Sequence, residues 1–288
     1  MLEPFAAQVM ALEANYLRVR LDHPGPDGRR LLLCTRRARL AHGGLKVMVG
    51  DRVGVEGCDW GEGRAAVGSL EPRRNQLQRP ALANVDQVLV VMALAQPAID
   101  PESLSRFLLS AETAGAEVIP VLSKADLVSD QQQQQWLDRL VGWGYQALAI
   151  SRHDPAGLAA LEDRLSRGVA VLCGPSGVGK SSLLNALVPE LQLRTAAVSG
   201  KLQRGRHTTR HVELHDLPAG GLLADTPGFN RPELPADPEL VAQLFPEIRQ
   251  QLEAGVRCRF RNCRHLQEPG CGLQRQWERY PSYVELMG

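Results

Sequence analysis

The first 72 residues place short apolar runs between glycine-rich turns. In residues 16–21 and 51–55 apolar and polar side chains alternate, the period of a half-buried strand, and residues 31–34 form an apolar run of strand length. The segment 22–28 holds two prolines and two glycines and is typical of a loop. The pattern predicts a small β-barrel or sandwich.

After residue 72 the pattern changes to apolar strands that alternate with helical segments. Residues 101–115 are amphipathic and predict a helix, and the polar run 131–135 is interpreted as a solvated helix face. The predicted buried strands are 85–93, 118–122, 146–150 and 169–173. Such strands between helices predict a parallel α/β sheet.

Two composition changes predict the domain boundaries. Residues 71–75 resemble a linker, and a proline-rich stretch begins after Arg231. We therefore predict three domains, with residues 1–72 forming the β-rich domain, 73–233 the α/β domain and 234–288 a small domain that contains a cysteine cluster.

Composition narrows the class of protein. The 288 residues carry a net charge of +1, which excludes a uniformly basic nucleic-acid coat. No apolar run approaches the roughly 18 residues of a membrane span. Six scattered or bunched cysteines do not form a disulfide scaffold, and the chain begins without a basic leader. These features predict a cytoplasmic protein with no membrane partner.

A phosphate-binding loop follows the predicted strand 169–173. It consists of Gly174, Pro175, Ser176, Gly177, Val178, Gly179, Lys180 and Ser181, with Ser182 opening the predicted helix behind it. These residues fit the phosphate-loop pattern at every fixed position. Backbone N–H groups would surround phosphate oxygens, Lys180 would reach the β- and γ-phosphates, and Ser181 would bind Mg²⁺.

Two later segments complete such a site. Asp225 ends a predicted strand and would meet the Mg²⁺ shell, while the Gly228 amide would sense the γ-phosphate. Residues 205–210 lie between the two and form a candidate switch loop. A threonine hydroxyl there would complete the Mg²⁺ shell, with Thr209 the first choice and Thr208 the second.

The motif at residues 123–126 resembles the guanine-reading Asn-Lys-x-Asp motif of GTPases. It consists of Ser123, Lys124, Ala125 and Asp126. Asp126 would accept two hydrogen bonds from guanine, and Lys124 would pack over the base. Ser123 replaces the asparagine, so we expect a shortened link to the phosphate loop. Ser151 and Arg152 resemble the short motif whose backbone contacts guanine O6.

In ordinary GTPases the phosphate loop comes first and the guanine motif comes late, whereas here Asp126 precedes Gly174 and Asp225 comes last. The G domain therefore resembles a circularly permuted one. With the β-rich start and the final cysteine–histidine cluster, the chain resembles the ribosome small-subunit-dependent GTPase A family over nearly its whole length. That resemblance implies an N-terminal OB-fold and slow intrinsic hydrolysis of GTP to GDP. It also implies stimulation by the small ribosomal subunit and a role in that subunit's late maturation.

The glutamine that orients the attacking water in Ras-like enzymes is absent at the corresponding position of this chain, so another polar residue must take its role. Phe229 stands where Ras-like enzymes have a glutamine, and a phenyl ring cannot orient water. His207 is the nearest polar candidate in sequence, and the resemblance supports it. We expect it to act when the ribosome orders its loop.

A cysteine–histidine cluster predicts a metal site near the C-terminus. Cys258, Cys263, His265 and Cys271 offer three thiolates and one imidazole within 14 residues. This set suits one structural Zn²⁺ ion in a closed tetrahedral site. The alternative is a set of buried thiols.

Arginines and lysines in three zones predict contacts with rRNA phosphates. These are Arg29, Arg30, Arg36, Arg37 and Arg39 in the β-rich domain; Arg194, Lys201, Arg204, Arg206 and Arg210 around the switch loop; and Arg257, Arg259, Arg261 and Arg264 beside the metal cluster. Two other functions stay open: a nucleotide kinase, because the loop also resembles that of guanylate kinase, and a non-enzymatic RNA-binding zinc protein. We expect a monomer.

Overall fold

The computed structural model describes residues 3–37, 40, 46–151, 153–188, 191, 212–225 and 229–288. The chain forms two compact units. The first contains Met1–Gln87, Glu162–Leu172 and Leu187–Phe229, and the second contains Val88–Leu161, Cys173–Ala186 and Asn230–Gly288.

A closed five-stranded barrel opens the first unit. Its strands are β1 (Phe5–Leu12), β2 (Leu17–Leu21), β3 (Leu31–Arg36), β4 (Arg52–Asp59) and β5 (Arg64–Leu70). They pair in the order β1-β2-β3-β5-β4, and β1 closes the barrel on β4. Only β3 and β5 pair in parallel among these strands. The barrel is therefore OB-like, as predicted.

Valine contributes many of the buried side chains in the barrel core. Val9, Val19, Val53, Val55 and Val67 are all fully buried. Valine suits this position because its branched side chain packs well on a pleated surface. The alternating pattern identified β2 and β4, but β1 buries five consecutive residues and shows no alternation.

The expected linker is firmly held in the first unit. The guanidinium of Arg73 donates to the two carboxylate oxygens of the fully buried Asp51 at 2.7 and 2.9 Å. Asn75 exchanges two hydrogen bonds of 2.8 Å with the backbone of Val85. Polar side chains of the segment are thus paired with groups of the first unit.

Further strands of the first unit are β6 (Gln76–Leu77), β7 (Leu82–Ala83), β11 (Val169–Cys173), β12 (Glu213–Asp216) and β13 (Leu222–Asp225). Strand β13 pairs in parallel with β11 and in antiparallel with β12. Strand β12 also pairs with β1 of the barrel, where Ala11 faces Glu213. This sheet therefore continues into the barrel through a single strand.

The second unit holds three more strands and the helices. Its strands are β8 (Gln87–Ala93), β9 (Glu117–Ser123) and β10 (Leu148–Ala149), with β9 in the middle. Its helices are α1 (Pro101–Glu112), α2 (Asp130–Gly142), α3 (Pro155–Arg164), α4 (Lys180–Leu187), α5 (Pro238–Gln243), α6 (Pro246–Glu253) and α7 (Tyr280–Met287). The predicted α/β alternation is confirmed, and β9 and β10 pair in parallel.

An aromatic core holds the C-terminal helices together. The rings of Phe245 and Tyr283 meet edge to face with centroids 5.1 Å apart, and Trp277 and Tyr280 complete the cluster. Beside it, Arg279 donates to both carboxylate oxygens of Glu247 at 2.8 and 2.6 Å. Both side chains are buried, so loss of either partner would leave an unpaired charge and cost about 3–5 kcal/mol.

No helix among the described residues is long and apolar enough to cross a membrane.

Candidate nucleotide and metal sites

The phosphate loop begins where the fully buried strand β11 ends. Gly174 has φ 137°, and a Cβ atom there would lie 2.1 Å from the carbonyl oxygen of Val91. Gly177 and Gly179 also have positive φ, of 81° and 97°. Glycine at these positions lets the backbone turn sharply, which is the property that a phosphate-binding loop requires.

Lys180 is the first residue of α4 and lies along the loop. Its Nζ donates to the carbonyl oxygens of Gly174 and Pro175, each at 2.6 Å. Burial lowers the pKa of Lys180, an effect that the nearby Cys173 opposes. Burial also disfavours the charged form of Cys173, and for a thiol this raises the pKa, here to about 12. Cys173 is therefore a packing residue and not a nucleophile.

The guanine-reading segment follows directly on β9. Lys124 has left-handed backbone dihedrals (φ 56°), and a short 3₁₀ turn, Ala125–Leu127, comes after it. The Nζ of Lys124 donates to the Gly177 carbonyl of the phosphate loop at 3.0 Å and to the Gln96 carbonyl. The Ala125 N–H donates to Ile150 O, just before Ser151.

Ser123 connects the guanine-reading segment to the phosphate loop. Its hydroxyl oxygen lies 2.5 Å from Val178 O and 3.2 Å from Met92 O. A hydroxyl has one hydrogen to donate, and the shorter distance assigns it to Val178. The expected shortening is therefore accommodated: the serine still reaches the loop, and it is buried.

A cavity of about 250 Å³ lies beside this connection in the second unit. Asp126, Lys124 and Ser123 line it together with Gly179 and Ser182 of the phosphate loop and first helical turn. The rest of its wall is mostly apolar and includes Leu127, Ile150, Leu158, Leu183 and Ala186. An apolar wall with a few convergent polar groups suits a flat base with polar edges.

The side chain of Gln133 makes a contact with the guanine-reading turn that the sequence pattern does not predict. Gln133 belongs to the run that the sequence predicts as a solvated helix face, and its neighbours Gln131, Gln132, Gln134 and Gln135 are exposed. The Gln133 amide, however, donates to Ala125 O at 3.0 Å. A uniform glutamine run contains no signal that distinguishes this one position.

Several predicted site residues lie outside the described part of the chain. These are Arg152, His207, Thr208, Thr209 and Gly228. The backbone of Asp225 ends β13, which runs parallel to β11, so both strands end at the same edge of the sheet. Phe229 is buried.

The cysteine–histidine cluster is assembled as its spacing predicts. One donor atom each from Cys258, Cys263, His265 and Cys271 lies within 4.8 Å of the others. The sulfurs of Cys258 and Cys271 are 4.0 Å apart, too far for a disulfide but close to the roughly 3.8 Å expected across a tetrahedral zinc ion. The residues therefore fit a metal ion.

His265 turns its Nδ1 atom toward the cluster, so Nδ1 is the nitrogen that would bind the ion. Its Nδ1 lies 3.5 Å from the Cys258 sulfur and 3.8 Å from the Cys271 sulfur. Glu268 holds the loop in place because its carboxylate accepts hydrogen bonds from the N–H groups of Arg264 and Leu266 at 3.0 and 2.8 Å. Glu268 carries no signal in the sequence pattern, because it acts on backbone N–H groups.

The arginines around the cluster differ in exposure. Arg257, Arg259 and Arg261 are exposed, whereas Arg264 is half-buried. Arg257 donates to the backbone carbonyls of Leu252 and Val256. Arg259 and Arg261 are thus the better placed of the four for contact with an anionic partner.

Together, the glycine turns, the lysine and the guanine-reading segment define a P-loop GTPase whose motifs are circularly permuted. The family model described as RsgA GTPase matches residues 70–235. The chain belongs to this family.

Similar proteins and similar solved structures both align with nearly the full length of this chain. Two proteins called small ribosomal subunit biogenesis GTPase RsgA are similar to it. The one from Prochlorococcus marinus (strain MIT 9303) is 55% identical, over 98% of this chain and 91% of its own. The one from Synechococcus sp. (strain CC9605) is 58% identical, over 96% and 91%.

Two crystal structures share the fold. YjeQ from Thermotoga maritima superposes with a TM-score of 0.80 and 28% identity, covering 99% of this chain and 98% of its own. YloQ, described as a circularly permuted GTPase, superposes with a TM-score of 0.79 and 30% identity, covering 99% and 94%. The permuted order is thus confirmed.

Replacing Ser123 tests its connection to the phosphate loop. Ser123→Ala leaves the Val178 carbonyl without its donor, and loss of one buried hydrogen bond predicts a roughly tenfold weaker affinity for GDP. Selectivity for guanine over adenine should persist, because Asp126 is unchanged. Titration with a fluorescent GDP analogue measures both.

Ser110→Ala is the matched control. Ser110 is also buried and accepts a hydrogen bond, from Glu233 N–H at 3.1 Å, but it does not line the cavity. It should leave GDP affinity unchanged. Equal affinities for Ser123→Ala and the wild type would reject the connection as a determinant of binding.

Proposed function

We propose that this GTPase acts in the biogenesis of the small ribosomal subunit, hydrolysing GTP to GDP and phosphate slowly alone and faster on the subunit. The cavity shared by Asp126 and the phosphate loop is the observation that carries the proposal. The names of relatives with more than half of their residues identical support the choice of partner. We place the step in late maturation of the subunit.

In the proposed complex the site residues share the recognition of the nucleotide between the base and the phosphates. Asp126 accepts hydrogen bonds from the guanine edge, Lys124 packs its stem over the base, and the backbone of Ser151 and Arg152 contacts guanine O6. The remaining ligands surround the phosphates. They are Gly174, Pro175, Ser176, Gly177, Val178, Gly179, Lys180, Ser181 and Ser182 of the phosphate loop and the helix start, with Ser123 and Ala125 supporting the base turn.

Mg²⁺, when bound, neutralises charge on the phosphate oxygens. We assign Ser181 and Thr209 as its protein ligands, with Thr208 as the second choice and Asp225 in its outer shell. The Gly228 amide senses the γ-phosphate, and His207 positions the attacking water. A buried Phe229 fits this assignment, because the chain then needs a polar group from elsewhere to orient water.

We propose that the ion in the cysteine–histidine cluster is one structural Zn²⁺ per chain. Three sulfurs and one imidazole favour Zn²⁺ over Mg²⁺ or Ca²⁺, and four protein donors leave no open position for catalysis. The ion would cross-link the loops that carry its four ligands, in a segment whose own hydrophobic core is small. The cluster would thereby stabilise the C-terminal helices.

The barrel and the C-terminal segment supply the proposed contacts with rRNA. Arg29, Arg30, Arg36 and Arg37 are exposed on and beside β3, near the exposed apolar Leu31 and Leu33. Exposed basic groups beside exposed apolar side chains suit the phosphates and bases of RNA. We assign domains 1–72, 73–233 and 234–288, and propose a monomer acting in the cytoplasm.

Metal analysis tests the zinc assignment. Purified protein should contain about one zinc per chain, and Cys271→Ser should lose most of it, because structural zinc sites need all four donors. Cys58→Ser removes a half-buried thiol of the barrel outside the cluster and should retain zinc. A stoichiometry near zero in untreated wild-type protein would reject the assignment.

GTP turnover with and without purified small subunits tests the function. Addition of subunits should raise kcat by at least about tenfold, since ordering of a catalytic segment by a partner can contribute far more than this. Large subunits serve as the control and should leave kcat unchanged. Phosphate transfer from ATP to GMP would favour a nucleotide kinase, and failure to bind GDP or GTP would favour a non-enzymatic RNA-binding protein.

The same assay tests His207. His207→Ala should keep GTP binding but lose roughly 100-fold or more of the stimulated rate, the usual contribution of a group that handles the attacking water. The measurement is single-turnover hydrolysis on saturating small subunits. Full stimulated turnover in the variant would exclude His207 from this role.

A further inference from the structure

The hairpin of β12 and β13 joins two segments assigned to hydrolysis. Residues 207–209 precede β12 in the chain, and residues 226–228 follow β13 directly. The hairpin itself is well paired, with Leu214 facing Ala224. In the chain, the hairpin therefore lies between the two segments.

One row of paired residues runs from the barrel to the end of this hairpin. Arg18 of β2 faces Ala11 of β1, Ala11 faces Glu213 of β12, and Glu213 faces the backbone position of Asp225 in β13. Directly paired residues of neighbouring antiparallel strands lie on the same face of a sheet. The row thus connects a barrel arginine with the strand position of the proposed Mg²⁺-shell aspartate.

Arg18 spans this row through its side chain. Ala11, the residue between, has only a methyl group, which leaves room for a long side chain to pass over it. The Arg18 Nη1 reaches Glu213 Oε1 at 2.6 Å, and both side chains are about one-third exposed. The contact is therefore a charge-assisted hydrogen bond between strands that are not neighbours.

A second ion pair repeats the connection. Arg20 lies two residues further along β2, on the same face as Arg18, and its guanidinium pairs with Asp216 at the other end of β12. Both acidic residues of this four-residue strand are thus paired with arginines of one barrel strand. Two contacts at separate points restrict rotation of the hairpin as well as its distance from the barrel.

We propose that Arg18 and Arg20 are positioning residues for GTP hydrolysis, holding the β12–β13 hairpin to the barrel through Glu213 and Asp216. Binding of the small subunit to the barrel thereby sets the position of the β12–β13 hairpin and of the Asp225 backbone that ends it. The inference rests on the proposed function. Partly exposed ion pairs add little to global stability, so their main effect falls on position rather than on folding.

The test compares acidic residues on the two sides of Arg18. Glu213→Gln and Asp216→Asn remove the hairpin partners, whereas Glu13→Gln removes the barrel partner of Arg18, which lies 3.4 Å away, and is the matched control. On saturating small subunits, the hairpin double variant should lower kcat roughly three- to tenfold, the effect of losing two weak contacts. KM for GTP and the melting temperature should match those of Glu13→Gln.

Two readouts distinguish positioning from a structural role. Backbone amides of residues 213–216 and 222–225 should exchange hydrogen faster in the hairpin double variant than in Glu13→Gln, without nucleotide or subunits present. The Mg²⁺ concentration for half-maximal turnover should rise. A charge swap, Arg20→Glu with Asp216→Arg, should restore kcat and amide protection that Asp216→Arg alone loses.

The outcomes separate this inference from the proposed function. A wild-type protein that small subunits do not stimulate overturns the proposed function and this inference with it. A stimulated wild type whose hairpin variants match Glu13→Gln in kcat and exchange overturns the inference alone. Loss in the single variants without recovery in the swap also overturns it, since the effect then arises from other contacts.

Discussion

The hydrogen bond from Ser123 to the Val178 carbonyl joins the two halves of the nucleotide site. The residues lie 55 positions apart, and their donor and acceptor are 2.5 Å apart. Because so many residues separate the two segments along the chain, proximity in sequence does not align them, and tertiary contacts must do so. Lys124 adds a second contact, to Gly177 O. These contacts set the distance between the base pocket and the phosphate loop. That distance must match the length of the nucleotide.

The C-terminal segment solves a different physical problem. It is too short to bury a large core, so it combines an aromatic cluster, a buried ion pair and a metal-binding loop. Arg279 stacks within 5.1 Å of the Phe245 ring while it pairs with Glu247, and its guanidinium also reaches Ser105 of α1 at 3.3 Å. Metal ligands at Cys258 and Cys271 would connect loops that have little apolar surface of their own.

Much of the fold and site was predictable because each signal is local. The phosphate loop, β11 and the metal cluster follow from residue types at fixed spacing, and the fold has confirmed the permuted order. Contacts set by tertiary packing were not predictable. Gln133 resembles its neighbours in sequence, Glu268 acts through the backbone, and β1 lacks alternation because its buried residues are consecutive. The assignments of His207 and Thr209 remain predictions from sequence.

The connection between β1 and β12 explains why charged side chains matter in this sheet. Within the described part of the chain, the pairing of these strands rests on one residue pair, Ala11 with Glu213. A single pair specifies register weakly, and without its pairing to β1 the strand β12 would present unpaired backbone groups at an edge of the sheet. Arg18 and Arg20 on β2 add two ion pairs to β12, and these help to specify the position that the single β1–β12 residue pair leaves weakly defined. Such a connection is specific in geometry yet weak in energy, so the ion pairs affect where the hairpin lies more than they affect global stability.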